Sequence, residues 1–478
     1  MVYTAMQLSP GAHIHLIAAC GTATGSLAGM LSERGYRVTG SDSHVYPPMS
    51  TMLKDMGIDL YEGFAAEHLD PAPDLVIVGN AVSRGNPEVE AALSRKIPYL
   101  SLPEVLRDFF IRGKHSVVVT GTHGKTTTTA LIAHLFTSCG LAPSFLVAGL
   151  PRNFDRSYRL GQGEHFIVEG DEYDSAFFAK WAKFFYYLPD TLIINNIEFD
   201  HADIYQDLAE ILKAFRQLIN TVPQTGLIIA SAADPNIDKL LPAASTPVQT
   251  FGLEEQAYWR ATDLNPGPQG TRFTLLRKDT PLGTFNLPLS GTYNIRNALA
   301  ALALGFQAGL SVAKMENALS SFAGVKRRQE IIGEINEILL IDDFAHHPTA
   351  VSQTLSGLRQ AHPNRRLVAV FEPAIATNAR SLFEKRYIEA FSLADTLITT
   401  PVPRPERARD DEPFSADRLA QQLTNAGKKA HCLPDVDSIT NHLLAETKPG
   451  DLIVFMSNGG FGDLQEKLLT ALQTQNSI

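Results

Sequence analysis

Between residues 117 and 136 the chain reads Val117-Val118-Val119-Thr120, then Gly121-Thr122-His123-Gly124-Lys125-Thr126-Thr127-Thr128-Thr129, then Ala130-Leu131-Ile132-Ala133-His134-Leu135-Phe136. The β-branched run predicts a strand, and the apolar run after the threonines predicts a helix. Glycines between them let the backbone close around an anion, and the N–H groups at the start of the helix face phosphate oxygens. A lysine there offsets the phosphate charge, and a neighbouring hydroxyl holds Mg²⁺. The order of strand, glycine loop and helix therefore predicts a phosphate-binding loop.

The spacing inside this loop is unusual. Only Thr122 and His123 separate the two glycines, whereas the common phosphate-loop pattern has a longer gap before its Gly-Lys pair. A glycine turn that merely caps a threonine-rich helix is the alternative interpretation. We favour the phosphate loop because strand, Gly-Lys-Thr and helix coincide. The residues predicted to contact nucleotide phosphates are Gly121, Thr122, His123, Gly124, Lys125, Thr126 and Thr127.

Length and composition place the chain among globular proteins. Its 478 residues correspond to roughly three domains, and 44% hydrophobic content is ordinary for globular cores. The formal net charge of −10 argues against a nucleic-acid partner, and the basic cluster Lys326-Arg327-Arg328 is too short to bind one. No uninterrupted apolar run reaches the roughly 18 residues needed to span a bilayer, so we expect a soluble protein without a membrane partner.

Cysteine usage indicates the redox compartment. Cys20, Cys139 and Cys432 are far apart and odd in number, which implies neither a disulfide framework nor a zinc motif. A reducing cytosol fits best, so we expect a cytoplasmic protein. As to assembly, we expect a monomer or a weak homo-oligomer.

Strands and helices alternate along the whole chain. Breaks near Arg112-Gly113 and Gly324-Val325 divide it into three blocks, residues 1–112, 113–325 and 326–478. This order predicts an α/β fold with a Rossmann-like N-terminal domain, a central phosphate-loop ATPase domain and a Rossmann-like C-terminal domain.

In the first block, a predicted strand at 13–18 leads into a glycine turn that contains Gly21, and the next predicted strand ends in Asp42. An acid about 20 residues after a glycine turn is where a Rossmann-like unit binds a ribose, although this turn lacks the three-glycine fingerprint. Asn80 and Ser83 follow a further strand, at the edge where such sheets bind ligands. A purely structural turn is the alternative there.

In the second block, two more predicted strands end in acids. One delivers Glu169 and then Asp171-Glu172, and the other delivers Glu198, Asp200 and His201. Both ends should lie beside the phosphate loop in one sheet, which would surround phosphates with the hard ligands that Mg²⁺ needs. Ordinary solvated acids are the alternative, but the neighbouring loop favours Glu169 and His201 as metal ligands.

Later segments are less specific. Asn294 and Asn297 lie on one face at the start of a predicted helix and could bind an adenine edge, while N-capping is the alternative for Asn294. In the third block, Ser457-Asn458-Gly459-Gly460-Phe461-Gly462 follows a predicted strand. That turn is either a ligand loop or a tight connection between strand and helix.

Taken in order, these motifs resemble the Mur ligase family of ATP-dependent amide-forming enzymes, and the resemblance covers nearly the whole chain. The motifs are Gly121 to Thr129, Glu169-Gly170-Asp171-Glu172, Asn195-Asn196-Ile197-Glu198-Phe199-Asp200-His201, Tyr293-Asn294-Ile295-Arg296-Asn297, Arg327-Arg328 and Asp342-Asp343-Phe344-Ala345-His346-His347-Pro348. The resemblance implies ATP and Mg²⁺ as cofactors. It also implies that a carboxylate attacks the γ-phosphate of ATP, and that an amine then displaces phosphate from the acyl phosphate.

The substrate is inferred from resemblance alone. The segment at 342–348 is similar to the branch of the family that acts on UDP-N-acetylmuramate. Residues 45–51, 198–205 and 456–462 are similar to members that join this sugar to the recovered tripeptide L-alanyl-γ-D-glutamyl-meso-diaminopimelate in peptidoglycan recycling. The tripeptide is therefore the expected amine donor, and L-alanine is the alternative.

The resemblance also implies roles for individual residues. Lys125, Glu169 and His201 are the expected catalytic residues, and Thr126, Glu169 and His201 are the expected metal ligands. Besides the loop, the ATP contacts are Asn294, Asn297, Arg328 and Asp343. The expected UDP contacts are Gly21, Thr22, Asp42, Asn80 and Ser83. His346 and His347 are expected as phosphate or substrate contacts, with proton acceptor and structural partner as the alternatives.

Three departures from the family pattern stand out. Later enzymes of the pathway carry a carbamylated lysine where this chain has Arg216 near Lys213, so we predict none here. A basic residue usual soon after Pro373 is missing; either Arg380 replaces it or peptide recognition differs. Tyr293 stands where a histidine is more usual.

Three rival functions follow from the same motifs. A kinase or motor-like ATPase would use the loop without a UDP-sugar. A UDP-sugar oxidoreductase would bind a nicotinamide at the turn around Gly21, although its glycine fingerprint is weak. A regulatory protein would bind the nucleotide without catalysis.

Overall fold

A computed structural model of the chain describes residues 8–45, 49–200, 204–373, 383–402 and 414–475. The chain forms two compact units. The first comprises Met1–Phe199, Ile204–Arg260 and Leu299–Ala318, and the second comprises Asp200–Asp203, Ala261–Ala298 and Leu319–Ile478. Among the helices of the described ranges, none combines the length and apolar character needed to cross a membrane.

The N-terminal part of the first unit is a parallel sheet with helices between its strands. Its elements are β1 (His13–Ile17), α1 (Thr22–Glu33), β2 (Arg37–Asp42), α2 (Met49–Asp55), β3 (Asp59–Glu62), a 3₁₀ turn (Ala66–Leu69), β4 (Leu75–Val78), α3 (Pro87–Ser94), β5 (Tyr99–Ser101), α4 (Leu102–Val105) and a π-helical turn (Leu106–Ile111). The strand order is β3-β2-β1-β4-β5. The order reverses between β1 and β4, and sheets of this kind bind ligands at the carboxyl ends beside such a reversal.

The central part of the first unit is a second sheet, built around the strand that precedes the phosphate loop. Its elements are β6 (His115–Thr120), α5 (Lys125–Ser138), β7 (Ser144–Leu146), β8 (Tyr158–Arg159), β9 (His165–Gly170), β10 (Asp174–Ala176), β11 (Ala179–Ala182), a 3₁₀ turn (Lys183–Tyr186), β12 (Thr191–Ile194), α6 (Leu208–Ile219), β13 (Leu227–Ser231), α7 (Pro235–Asp238), a 3₁₀ turn (Leu241–Ala243), β14 (Val248–Gly252) and the start of β15 (Trp259–Gly267). The order is β15-β14-β13-β12-β6-β9-β7-β8, with β10 and β11 as a separate antiparallel pair. Both β9 and β12 pair in parallel with β6, so their carboxyl ends flank the loop as predicted.

The remaining elements belong largely to the second unit. They are β16 (Gly270–Arg277), β17 (Thr280–Leu287), α8 (Thr292–Gln307), α9 (Val312–Ser320), β18 (Glu330–Ile335), β19 (Ile338–Asp343), α10 (Pro348–Ala361), β20 (Arg366–Phe371), α11 (Glu384–Phe391), β21 (Thr396–Thr399), α12 (Ala416–Asn425), β22 (Lys429–Cys432), α13 (Val436–Glu446), β23 (Asp451–Met456), a 3₁₀ turn (Phe461–Asp463) and α14 (Leu464–Gln475). One sheet has the order β18-β19-β23-β20-β21-β22, parallel except for the edge strand β18. The predicted α/β class with parallel sheets is confirmed.

Apolar faces of these sheets form the cores. In the N-terminal sheet, Ile14 and Leu16 are fully buried with α1, while Ile17 and Val76 belong to a separate cluster with α3. Side chains alternate between the two faces of a strand, so β1 contributes to both cores. The two clusters together cover the N-terminal sheet on both sides.

A polar cluster lies inside that sheet and its helix α3. Glu88 is fully buried, and its carboxylate accepts hydrogen bonds from Ser41 Oγ (2.5 Å) and from the backbone N–H of Ala65 (3.3 Å). His68 Nδ1 lies 2.6 Å and His15 Nε2 lies 3.5 Å from the same carboxylate. Burial alone would raise the pKa of Glu88, but the bonds from His15, Ser41 and His68 outweigh it and lower the pKa. The cluster ties β1, β2 and α3 together.

We expect Glu88→Gln to reduce the free energy of unfolding by about 2–4 kcal/mol at neutral pH, because an amide cannot satisfy donors arranged around a carboxylate. A carboxyl group whose pKa is lowered by folding stabilises the fold at pH values above the ordinary pKa of that group. This contribution is lost as the pH falls through the lowered pKa. Urea unfolding at neutral pH and near pH 3 measures both effects. Glu90→Gln, on the same helix but exposed and paired with Arg84, is the control; equal losses in both variants would contradict the prediction.

Candidate active site

The phosphate loop occupies the turn between β6 and α5. Gly121 has φ +127° and Gly124 has φ +81°, which is the left-handed region that favours glycine. A Cβ atom on Gly121 would lie 2.9 Å from the backbone oxygen of Asn196 and 3.0 Å from its nitrogen. Glycine is required at this position because the backbone of the segment after β12 passes so close.

The segment after β12 holds the loop in shape. Thr122 N–H donates to the Asn196 carbonyl (3.0 Å), and His123 N–H donates to Asn196 Oδ1 (2.8 Å). In return, Asn196 Nδ2 donates to the His123 carbonyl (3.1 Å), and Glu198 N–H donates to Thr122 Oγ1 (2.8 Å). Two consecutive residues of the loop are therefore held in place by residues 196–198.

That segment is itself braced from β13. The carboxylate of Asp234 accepts the Ile197 N–H (2.5 Å), and Asn236 Nδ2 donates to the Ile197 carbonyl (2.9 Å). Asp234 also caps α7 by accepting the Asn236 N–H (2.8 Å). This brace was not predicted from the sequence, in which an aspartate directly before Pro235 and after a strand is the signal for a helix cap.

Lys125, the first residue of α5, turns its ammonium towards acids. Nζ donates to the Gly121 carbonyl (2.7 Å) and to Glu172 Oε2 (2.9 Å), and Asp171 Oδ1 lies 4.0 Å away. Burial by itself would lower the pKa of Lys125, but the carboxylates of Glu172 and Asp171 outweigh it and raise the pKa. The lysine is therefore charged at neutral pH, as a phosphate-binding lysine must be.

Glu169 lies at the end of β9, beside the first turn of α5. Thr126 Oγ1 donates to Glu169 Oε2 (3.0 Å), and the Ala148 N–H donates to Oε1 (2.5 Å). Burial and the charge of Asp171 raise the pKa of Glu169 to about 7. Ionising so deeply buried a carboxyl group costs free energy, and a cation bound beside it would offset that cost. The Thr126 hydroxyl and Glu169 carboxylate are oxygen donors of the kind that fit Mg²⁺.

The predicted UDP contacts lie at the carboxyl ends of β1, β2 and β4. Gly21, Thr22, Asn80 and Ser83 are exposed and lie in the segments that follow β1 and β4, the two strands between which the sheet order reverses. Asp42 accepts the Cys20 N–H (2.8 Å) and the His44 N–H (3.4 Å). Asp42 thus holds the glycine turn in place in addition to any ribose contact.

In the second unit, Asp343 sits among backbone donors. It accepts the N–H groups of Gln329 (2.8 Å) and Ala345 (2.8 Å), and burial raises its pKa even though the Arg328 charge acts against it. The Arg328 guanidinium lies over the Phe344 ring at 4.5 Å. The predicted contacts Arg328 and Asp343 therefore flank one short turn at the end of β19.

The amides predicted to bind adenine bond to their own helix. Asn294 Nδ2 donates to the Ser290 carbonyl (2.8 Å), and Asn297 Nδ2 donates to Asn294 Oδ1 (3.2 Å). Both side chains are buried. These bonds are not those of an N-cap, whose side-chain oxygen accepts a backbone N–H, and the adenine contact stays a prediction.

The two histidines after β19 have different surroundings. His347 Nδ1 accepts the Thr349 N–H (3.3 Å) and caps α10, which fits the structural alternative. His346 Nδ1 lies 2.9 Å from the Phe344 carbonyl, and burial lowers its pKa to about 4. Burial therefore favours the neutral form of His346.

The glycine-rich turn after β23 forms a braced connection. Arg327 Nη2 donates to the carbonyls of Ser457 (2.7 Å) and Gly459 (2.6 Å), and the Gly459 N–H donates to Ser457 Oγ (2.8 Å). Two predicted site residues, His201 and Arg380, lie outside the described residues, as do positions 46–48 of one motif.

Three family models match: the Mur ligase family, catalytic domain, at residues 13–113; the Mur ligase middle domain at 119–305; and the Mur ligase, glutamate ligase domain, at 327–459.

Individual relatives are similar over nearly the whole chain. UDP-N-acetylmuramate–L-alanyl-γ-D-glutamyl-meso-2,6-diaminoheptandioate ligase of Escherichia coli (strain K12) is 40% identical, covering 96% of this chain and 98% of the relative. UDP-N-acetylmuramate–L-alanine ligase of Geotalea uraniireducens is 32% identical, covering 96% and 98%. The crystal structure of a murein peptide ligase from Psychrobacter arcticus 273-4 has a TM-score of 0.73 and 37% identity, covering 97% of this chain and 99% of that one.

We expect Gly121→Ala to weaken nucleotide binding by at least about tenfold, because the new methyl must push back the Asn196 backbone that shapes the loop. Isothermal titration with ADP measures the change. Gly113→Ala, at a left-handed glycine with nothing within 4 Å of the added methyl, is the matched control for backbone strain. ADP affinity equally reduced in both variants would contradict the prediction.

We expect Glu169→Gln to stabilise the protein above pH 7 in the presence of a chelator. A carboxyl group whose pKa is raised by folding destabilises the fold more and more as the pH rises from the ordinary pKa of the group to the raised pKa. An amide does not ionise and has no such effect. The gain should be about 1–3 kcal/mol near pH 8 and vanish near pH 4.5. Urea unfolding with EDTA measures it, with exposed Glu164→Gln as the control. A difference that is independent of pH would contradict the role of burial.

Proposed function

The chain belongs to the Mur ligase family, and we propose that it is an ATP-dependent ligase that joins UDP-N-acetylmuramate to L-alanyl-γ-D-glutamyl-meso-diaminopimelate. The observation that carries the choice of substrate is the 40% identity, over 96% of the chain, to the E. coli ligase named for that reaction. Relatives named as L-alanine ligases reach 32–34% identity over similar lengths. L-Alanine is therefore the second candidate for the amine donor.

We assign UDP-sugar binding to residues 1–112, ATP binding to 113–325, and completion of the ATP site with peptide binding to 326–478. The exposed residues at the ends of β1 and β4 support the first assignment, because strand ends beside a reversal of order are where such sheets bind ligands. The pinned glycine loop and charged Lys125 support the second.

The reaction proceeds in two steps. The lactyl carboxylate of the sugar attacks the γ-phosphorus of ATP, which forms an acyl phosphate and releases ADP. The tripeptide amine then adds to the acyl carbon, and the tetrahedral intermediate collapses with loss of phosphate and of the amine proton. The products are the amide, ADP and inorganic phosphate.

Residues of the loop serve the first step. The N–H groups at the start of α5 and the Lys125 ammonium bind the β- and γ-phosphates and offset the charge that builds up on the leaving ADP. Thr126 and Glu169, together with His201, would hold Mg²⁺, which when bound neutralises phosphate charge so that the carboxylate anion can approach. The pinned loop keeps these donors in position, so little reorganisation is needed at the moment of transfer.

We further propose that the enzyme acts in the cytoplasm in peptidoglycan recycling, as a monomer or weak homo-oligomer. Its three cysteines are free thiols, which suits a reducing compartment. UDP-N-acetylmuramate and the tripeptide are small molecules, and the net charge of −10 offers no broad surface for nucleic acid.

The substrate assignment is tested by incubating the protein with ATP, Mg²⁺ and UDP-N-acetylmuramate, and by offering either the tripeptide or L-alanine. We expect phosphate release and a product of the summed mass with the tripeptide. Phosphate assay and mass spectrometry measure the two. Turnover with L-alanine and none with the tripeptide would select the second candidate, and ATP hydrolysis without any sugar would favour a simple ATPase.

We expect Glu169→Ala to lower the turnover rate by at least about 100-fold while the fold is retained, because a metal ligand is lost from the phosphate site. Steady-state phosphate release measures the rate, and circular dichroism checks the fold. Unchanged turnover would remove Glu169 from the catalytic site.

A further inference from the structure

Glu172 has no role in the reaction described above, yet it makes the shortest acidic contact to the phosphate-binding lysine. Its side chain is 4% exposed, and Oε2 and Oε1 lie 2.9 Å and 3.3 Å from Lys125 Nζ. The third neighbour of that ammonium is the Gly121 carbonyl at 2.7 Å. The carboxylate and the loop backbone therefore share the lysine.

The neighbouring acid, Asp171, is matched to a different cation. Lys183 Nζ lies 3.4 Å from Asp171 Oδ2 and sits 4.1 Å from the centre of the Tyr173 ring, while Lys125 Nζ is 4.0 Å from the same aspartate. Lys183 is buried. The two acids and two lysines thus form two pairs, and Glu172 is the main partner of Lys125.

The position of Glu172 is set by its own backbone. Residue 172 follows β9, whose pairing with β6 places it beside the loop, and Tyr205 Oη donates to the Glu172 carbonyl (2.5 Å). A carboxylate held in this way does not swing freely into solvent. A phosphate group can bind the Lys125 ammonium only by weakening the bond between that ammonium and Glu172. Such an ion pair is strong here because water is scarce around it.

We propose that the Glu172 carboxylate competes with nucleotide phosphates for the Lys125 ammonium and so lowers the affinity of the loop for polyphosphate anions. This inference rests on the proposed function of the loop as the ATP site. Its consequence is that the site binds weakly any anion that contacts only a small part of the loop. An anion must supply enough contacts elsewhere on the loop to offset the loss of the Lys125–Glu172 bond.

The test compares Glu172→Gln with the wild-type chain by isothermal titration with ADP in EDTA, at low ionic strength. We expect Glu172→Gln to bind ADP at least about fivefold more tightly, because the amide cannot compete with phosphate for the ammonium. The KM for ATP in the ligase assay should fall by a similar factor, while the Kd for UDP-N-acetylmuramate stays unchanged. A purely structural role would not move these quantities in that direction.

Asp174→Asn is the matched control. It removes one negative charge two residues further along, from a side chain that pairs with Lys180 instead of Lys125. We expect its ADP affinity to stay within about twofold of the wild type. Glu172→Asp is the second variant, in case the amide variant fails to fold. Its shorter side chain withdraws the carboxylate from Lys125, so ADP binding should tighten by a smaller factor.

Weaker ADP binding in Glu172→Gln would show that the ion pair remains when the nucleotide is bound and orients the lysine. This result would overturn the inference about Glu172 but not the assignment of the loop as the ATP site. If ADP binding tightens equally in Asp174→Asn, the effect is due to net charge, and the inference is also overturned. Wild-type protein that does not bind ADP at all would overturn the assignment of the loop, and this inference with it.

Discussion

Asn196 bonds two consecutive residues of the phosphate loop, Thr122 and His123, and the rest of the site depends on that contact. Its backbone carbonyl and its side-chain amide together engage Thr122 and His123, while its backbone lies so near Gly121 that no side chain fits there. The loop therefore takes its shape from the neighbouring strand β12. Because β12, β6 and β9 pair in parallel, the same sheet that shapes the loop also brings Glu169 to its other side.

Charge is concentrated around this loop. Glu169, Asp171 and Glu172 lie within four residues of one another at the end of β9, and all three are buried. Lys125 and Lys183 balance two of these acids, whereas Glu169 is left with hydrogen bonds from Thr126 and Ala148 and a raised pKa. Buried acids destabilise a fold unless something binds them. A site with this imbalance suits a ligand that carries its own metal cation.

Much of this arrangement could be predicted from local sequence. The strand, loop and helix around Lys125, and the delivery of Glu169 beside them, follow from short apolar runs that end in polar residues. The bond between Lys125 and Glu172 could not be predicted, because 47 residues separate them and several acids were equally placed. The same holds for the Asp234 brace on Ile197, at a separation of 37 residues. The capping role of His347 depends on helix geometry, which a histidine pair does not reveal.

The brace from Asp234 has a consequence for folding. Asp234 follows β13, which pairs with β12 on the side away from β6. The bonds that hold Ile197 can therefore form only once the segment after β13 is present. A chain that ends before Asp234, which lies 105 residues beyond Thr129, lacks this brace on the segment that shapes the loop.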